Sequence, residues 1–404
     1  MTADDSQSVS GLRDQIELLE EELDEELKEK AAQPLELFFD LVFVFAITQV
    51  VSLIVHDLTL AGVLRGALVL AIMWWAWTNW TWTTNVVDLE PRVIRVAVLA
   101  SMLGVFGMAF SVPTAFEGDG DWLAFGYVSV RVIAAAVFVY GTRHDPAEMR
   151  AVLTYLPVSL SATAIVLVGG LVGGDALQWI WLGALTLEVI ATIFAGQTTW
   201  KIDAGHFAER HGLILIIALG EGIIAVGVAL EGFQIDGSLA LQLAVGLAGV
   251  GAMWWAYFDR LQEVMESALR QADPRETGHI ARDVYSLLHY PMITGIVLLA
   301  VALEEAFLHP NDPMKDVVAN VFVVAIGMYL LAQAVAVWRC WRTYLYERVV
   351  GVMVIALLVT VWDGAAKDVV LVSTVVLIAT LLAEYVRFRS RIRGEVPNPE
   401  TSVA

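Results

Sequence analysis

The sequence predicts an all-α polytopic membrane protein of about twelve transmembrane helices, and three observations predict it. Of 404 residues, 58% are hydrophobic and only 17% charged, against ~25% charged in an ordinary soluble domain. Predominantly apolar runs near the ~20 residues a spanning helix needs recur along the whole chain. The cations fall almost entirely into alternate breaks between those runs, as the enrichment of Lys and Arg in short cytoplasmic loops requires. This composition excludes a disordered chain, a soluble globular enzyme and a secreted disulfide scaffold. A lone cysteine, Cys340, leaves no intramolecular disulfide and no CxxC metal motif.

The chain begins with an acidic segment. Its first 34 residues hold eleven acids against Arg13, Lys28 and Lys30, which is −8 of the formal net charge of −20. No basic n-region leads into a short apolar core, so it does not read as a signal peptide. Leu12, Ile16, Leu19 and Leu23 alternate at four and three spacing among glutamates, with Leu27 next. Residues 10–32 therefore read as an acidic amphipathic helix, available for a cytoplasmic partner or for homo-oligomer formation.

Twelve apolar runs follow, at 36–56, 62–83, 93–113, 122–141, 151–172, 177–198, 210–230, 238–258, 284–304, 317–338, 346–363 and 368–388. With the N-terminus inside, 20 of the 24 Lys and Arg residues lie in inner segments. The outer loops receive Lys315 and Lys367, and Arg65 and Arg131 lie inside runs. The expectation is a plasma-membrane protein with both termini cytoplasmic. Its membrane partner is lipid, and the acidic balance excludes a nucleic-acid surface. An acid-rich exterior also suits a high-salt habitat, where surface charge preserves solubility; a halophilic source is expected.

Met73-Trp74-Trp75-Ala76 recurs as Met253-Trp254-Trp255-Ala256, an offset of 180. Gly104 and Ala115-Phe116 meet Gly295 and Ala306-Phe307 at 191, and the segment ending in Glu188 meets the one ending in Glu384 at 196. Loop insertions account for the growing offset, the longest being 259–283. The division is 1–34 acidic helix, 35–200 first six-helix repeat, 201–390 second repeat and 391–404 cytoplasmic tail. Six is an even number, so the repeats have the same topology, as in parallel-repeat transporters.

Ionisable residues inside spans cost ~2.5–3.5 kcal/mol each on insertion scales and are functional candidates by default. Glu36 and Asp40 are four apart and share a face of the first span. In the seventh, Arg210, Ile214, Ile217 and Glu221 form one helical stripe, with Glu221 between Gly220 and Gly222. Glu188 and Glu384 occupy matching positions of the sixth and twelfth spans. Arg131, central in the fourth, keeps its proton and must find a partner, with Asp40, Glu188 and Glu221 as possible mates. His289 offers a proton relay near neutral pH, and Arg65 snorkels toward the outer face. The spacing of His206, Glu209 and His211 fits no zinc motif. No phosphate loop, dinucleotide fingerprint or nucleophile elbow is present, so no metal, cofactor or enzymatic activity is expected.

The segment Leu35-Glu36-Leu37-Phe38-Phe39-Asp40-Leu41-Val42-Phe43-Val44-Phe45-Ala46, with Phe207-Ala208-Glu209-Arg210 and Ile217-Ala218-Leu219-Gly220-Glu221, closely resembles the low-temperature-requirement A (LtrA) family of bacterial and archaeal membrane proteins over roughly residues 34–390. That family is named for a role in growth in the cold, and the resemblance carries no biochemical activity over. A second likeness is to potassium channels of two six-helix repeats whose first helix opens Phe-Ser-Asp; here Phe38-Phe39-Asp40 replaces the serine. The functional expectation is a secondary transporter of an unknown small solute or ion, coupled to protons or cations through intramembrane carboxylates. Its alternatives are an ion channel, or a sensor or scaffold acting through the acidic helix.

Overall fold

A computed structural model describes residues 31–195, 202–232 and 236–395; the acidic segment expected at 10–32 lies outside the described residues except at its C-terminal edge. Among the described residues the protein is helical, with one isolated antiparallel bridge, Pro313 to Ala365. The first six helices are α1 (Pro34–His56), α2 (Leu60–Val86), α3 (Arg92–Ser111), α4 (Gly120–Thr142), α5 (Pro146–Val172) and α6 (Leu177–Ala195). Next come α7 (Ala204–Ala229), α8 (Gly237–Phe258), α9 (Leu261–Gln271) and α10 (Pro274–Ile280). A π-helical stretch, Ala281–Leu287, leads into α11 (His289–Leu308), α12 (Asp316–Trp341), α13 (Tyr346–Val361) and α14 (Ala366–Glu395).

All twelve expected runs are helices, and eleven spans among the described residues are long and apolar enough to cross a membrane. The exception is α13, whose 16 residues extend roughly 24 Å at 1.5 Å each, short of the ~30 Å hydrocarbon thickness. The last helix continues past its apolar run to Glu395.

Local chemistry sets where the helices begin. Pro34 occupies the first turn of α1, where its missing N–H costs nothing, and the Gln33 N–H donates to Glu36 Oε2 at 2.9 Å. Thr59, Asp145, Asp203, Asp236 and Asp273 each accept amide hydrogen bonds at the starts of α2, α5, α7, α8 and α10.

Residues 259–283 are not an extended loop. Leu261, Met265 and Leu269 are buried along one face of α9, an i, i+4, i+8 stripe that packs against α7, α8 and α12. Asp273, fully exposed, has its carboxyl held below the ordinary 3.8 by the amides of Glu276 and Arg275. Arg339 of α12 pins the following stretch through Glu276 and Asp283, each at 2.8 Å.

Six helix pairs of the first set recur at matching places in the second. Pairs α1–α3, α3–α4, α4–α5, α5–α6, α1–α2 and α2–α6 have counterparts in α7–α11, α11–α12, α12–α13, α13–α14, α7–α8 and α8–α14. Gly104 of α3 abuts Ser129, Val130 and the Gly126 carbonyl of α4, and Gly295 of α11 abuts Tyr329 and the Ala325 carbonyl of α12. The two sets meet chiefly through α1 and α2 against α7 and α11.

Candidate functional site

The densest polar cluster lies where α1 crosses α7. Arg210 donates to Glu36 Oε1 at 2.5 Å and to Asp40 Oδ1 at 2.7 Å, with all three side chains about 1% exposed. Trp77 Nε1 of α2 donates to the same Asp40 oxygen at 2.8 Å. Asp40 Oδ2 is buried and has no partner. Glu36 serves two purposes: it closes the start of α1 and it accepts from His206 Nε2 at 3.0 Å.

The neighbours fix the tautomer of His206. Asn85 donates through Nδ2 to the Asp203 carbonyl and accepts at Oδ1 from the Asp203 N–H, which orients its amide. Its Nδ2 therefore faces His206 Nδ1 at 3.1 Å as a donor, so Nδ1 accepts and Nε2 carries the single proton. With His206 neutral, two carboxylates face one guanidinium, a formal −1 in a buried site.

Arg131 finds Glu188 out of the three possible mates. Its Nη2 contacts Glu188 Oε1 and Ser159 Oγ, and its Nη1 donates to the Trp75 carbonyl at 3.1 Å. Tyr155 and Ser159 add donors to Glu188 Oε1, at 2.8 and 3.1 Å. Glu384 is held likewise: Arg348 grips it with Nε and Nη2 at 2.8 and 2.9 Å, donates to the Ala256 carbonyl at 3.0 Å and contacts Gln333. In both places a buried Arg joins the matching glutamate to a carbonyl of the repeated Met-Trp-Trp-Ala string. The arginine comes from α4 in one and from α13 in the other.

Glu221 stands apart. Deep in α7, it accepts from the Thr48 hydroxyl of α1 at 2.8 Å and lies ~16 Å along the helix from Arg210 at 1.5 Å per residue. His289 is fully buried, its Nδ1 donating to the Val284 carbonyl at 2.9 Å and its Nε2 accepting from Tyr257 at 2.8 Å. The π-helical stretch presents that carbonyl, in keeping with the occurrence of such bulges at functional positions. Beside it His211 is ringed by Trp77, Phe207, Tyr285 and His289 at centroid distances of 4.6–5.1 Å. Arg65 remains partly exposed near the opposite end, bonded to Gln178 at 3.3 Å.

Asp40, Arg131, Glu188 and Glu221 thus occupy three separate clusters rather than one chamber, and α2 links the first two. Trp77 holds Asp40 and the Trp75 carbonyl holds Arg131, while Trp75, Thr78, Asn79 and Trp82 border a cavity of about 60 Å³. Tyr155, Arg282 and Ser286 close it, and Asn79 Oδ1 is buried without a partner. A roomier cavity of about 440 Å³ adjoins the other pair, lined by Trp255, Asp259, Arg260, Arg348 and Glu384 among others.

Several of these residues carry no charge that sequence reading could single out. Trp77, Asn85, Tyr155 and Thr48 act through ring nitrogens, amides and hydroxyls that are common in helices. Arg348 was legible only as an interfacial cation, although it lies 36 residues before the glutamate it grips. Among the described residues no group of three or more His, Cys, Asp or Glu forms a metal-binding cluster.

The chain is 28% identical over 376 residues to an uncharacterized protein of Rhizobium meliloti (strain 1021), covering 89% of this chain and 90% of that one. No solved structure matches it significantly. The family comparison matches residues 31–383 to the bacterial low temperature requirement A protein (LtrA), a range containing the α1–α7 cluster, the Arg131–Glu188 pair and the π-helical stretch. The chain belongs to the LtrA family.

Proposed function

We propose that this protein is a proton-coupled secondary transporter of the plasma membrane, with Asp40 as the coupling carboxylate. The observation that carries the reading is the unbalanced charge at the α1–α7 crossing. Glu36 and Asp40 share one guanidinium, His206 is held neutral, and Asp40 Oδ2 is buried without a partner. A charge left in such a place is costly, so the site takes up one proton at Oδ2. Protonation weakens the hold of Asp40 on Arg210 and Trp77. Because Trp77 belongs to α2, the change reaches the helix that borders the solute cavity. That cavity, at about 60 Å³, offers room for a small ion or solute.

Two six-helix halves, 35–200 and 201–390, rock about the α1–α7 contact, with both termini on the cytoplasmic side. The matched helix pairs, the equivalent glycines Gly104 and Gly295 and the two Arg–Glu–carbonyl grips support this duplication. The cation-rich ends of the helices support the orientation.

Purified protein reconstituted in vesicles tests the reading under an imposed pH gradient. Solute or ion uptake that follows the gradient, with the coupling abolished in Asp40→Asn and the fold retained, is the expected result. If nothing moves under any gradient, the transporter reading fails. Unitary currents far above carrier turnover, unaffected by Asp40→Asn, assign a channel instead.

A further inference from the structure

The 440 Å³ cavity beside Arg348 does not end at its polar walls. It shares Trp255, Leu381 and Tyr385 with a second cavity of about 350 Å³ that runs between α8 and α14. The two regions differ in chemistry. The first contains Asp259, Arg260, Ser267 and Thr343, together with Arg348 and Glu384. The second is lined by Ala248, Gly251, Ala252, Ile378 and Leu382 beyond the shared residues, and Tyr385 supplies its one hydroxyl.

Position matches chemistry. The polar region is built from the C-terminal ends of α8 and α12, the start of α13, α9 and the distal part of α14, so it lies at one end of the bundle. Trp255, Trp341, Tyr385 and Phe388 rim it, as aromatic residues do at the depth of lipid headgroups. The apolar region runs inward along α8 from Trp255 to Ala248, roughly 10 Å at 1.5 Å per residue, about two thirds of the ~15 Å depth of one hydrocarbon leaflet. A Cβ built on Gly251 meets nothing within 4 Å, so this groove is open where small residues line it.

Charge distinguishes the occupant. Glu384 takes up Arg348 in two-point contact. Arg260 is only loosely engaged: its carboxylate contact is its chain neighbour Asp259 at 3.6 Å, and it lies 5.1 Å above the Tyr385 ring with its side chain 43% exposed. A guanidinium at the mouth of a headgroup-depth pocket, with the Ser267 and Thr343 hydroxyls across it, is suited to a phosphate.

We propose that residues 248–267 and 378–388, with Thr343, form a binding site for a glycerophospholipid of the surrounding leaflet. Its phosphate meets Arg260, and one acyl chain lies in the α8–α14 groove. The site makes no use of the coupling cluster and stands whether or not the protein moves a solute.

Native mass spectrometry of delipidated protein titrated with phosphatidylglycerol tests it, with inorganic phosphate as competitor. One lipid is retained per chain, at least tenfold more weakly in Arg260→Ala and again in Gly251→Leu, and phosphate at hundredfold excess leaves it in place. Should Gly251→Leu fold poorly, Leu382→Trp fills the same groove from a position 59% exposed. Retention unchanged in the head and groove variants overturns the proposal. So does phosphate binding that Arg260→Ala abolishes while groove filling has no effect, which makes the pocket a soluble-anion site.

Discussion

Trp74 and Trp75 are 3% and 6% exposed, whereas Trp254 and Trp255, the same residues of the repeated string, are 44% and 51% exposed. Identical sequence has opposite burial because the segments downstream of the two copies differ. After α8 the chain inserts α9, α10 and the π-helical stretch, and the last of these lies against α2: Ser286 accepts from Trp74 Nε1 through its carbonyl at 2.8 Å and from Trp82 Nε1 through its hydroxyl at 2.9 Å. After α2 a short link leads directly to α3, so the first half has no equivalent insertion at that place. One insertion therefore walls part of the small cavity by Arg131, through Arg282 and Ser286, and lines, through α9, the wider one by Arg348. The two copies of the string thus border two unlike sites.

The largest expected effect breaks that comparison at the ion pairs. Arg131→Ala strands Glu188, 1% exposed, and should cost about 3–5 kcal/mol as an uncompensated buried charge. Arg348→Ala strands Glu384, which is 14% exposed and beside an open cavity, so its loss should be markedly smaller. Equal losses of thermal stability in detergent would refute the asymmetry. Replacing both members, as Arg131→Met with Glu188→Leu, should restore much of the difference.

The tryptophans give the next test. Trp75→Ala removes a buried side chain and should cost about 3–5 kcal/mol, while Trp255→Ala should remain within about 1 kcal/mol, close to the range of a surface change. The comparison is wrong if denaturation midpoints shift alike.

Packing glycines sharpen it further. A Cβ at Gly295 meets backbone, the Ala325 carbonyl at 2.6 Å and the Tyr329 amide nitrogen at 2.9 Å, whereas at Gly104 the two nearest atoms belong to side chains that can turn. Gly295→Ala should cost about 2–3 kcal/mol and Gly104→Ala about 1 kcal/mol, within the overpacking range. A larger loss at Gly104 contradicts this ordering.

The smallest effect concerns the start of α10 within the insertion. Asp273 has its pKa lowered by the amides it caps, so its contribution is present above the unfolded value near 3.8 and declines as the pH falls through its lower folded value. Hydrogen exchange at the Glu276 amide, corrected for its intrinsic pH dependence, should accelerate only in that acid window. In Asp273→Asn, which keeps a capping oxygen but no titration, the acid-dependent acceleration should vanish.

Much of the framework was legible in residue order. Apolar runs located all twelve helices, because a bilayer demands that length of apolar helix. Glu36, Asp40, Arg131, Glu188, Arg210, Glu221, His289 and Glu384 stood out because charge inside a span is expensive. The α9 stripe of Leu261, Met265 and Leu269 was equally readable, yet its 11 residues are too few to span, so it merged into a loop. Which carboxylate Arg131 would take was not legible, since pairing depends on how α4 and α6 face each other.

By itself, then, the sequence determined a polytopic helical protein, the places where its helices run and the residues with charge to neutralise, since hydropathy and ionisation are properties of the chain. Only tertiary structure decided which charges meet, that Asp40 and Glu36 share Arg210 while Glu221 has Thr48, and that one tryptophan pair is sealed and the other open. Those outcomes rest on contacts between helices distant in sequence, where an acid's partner is set by packing rather than by spacing.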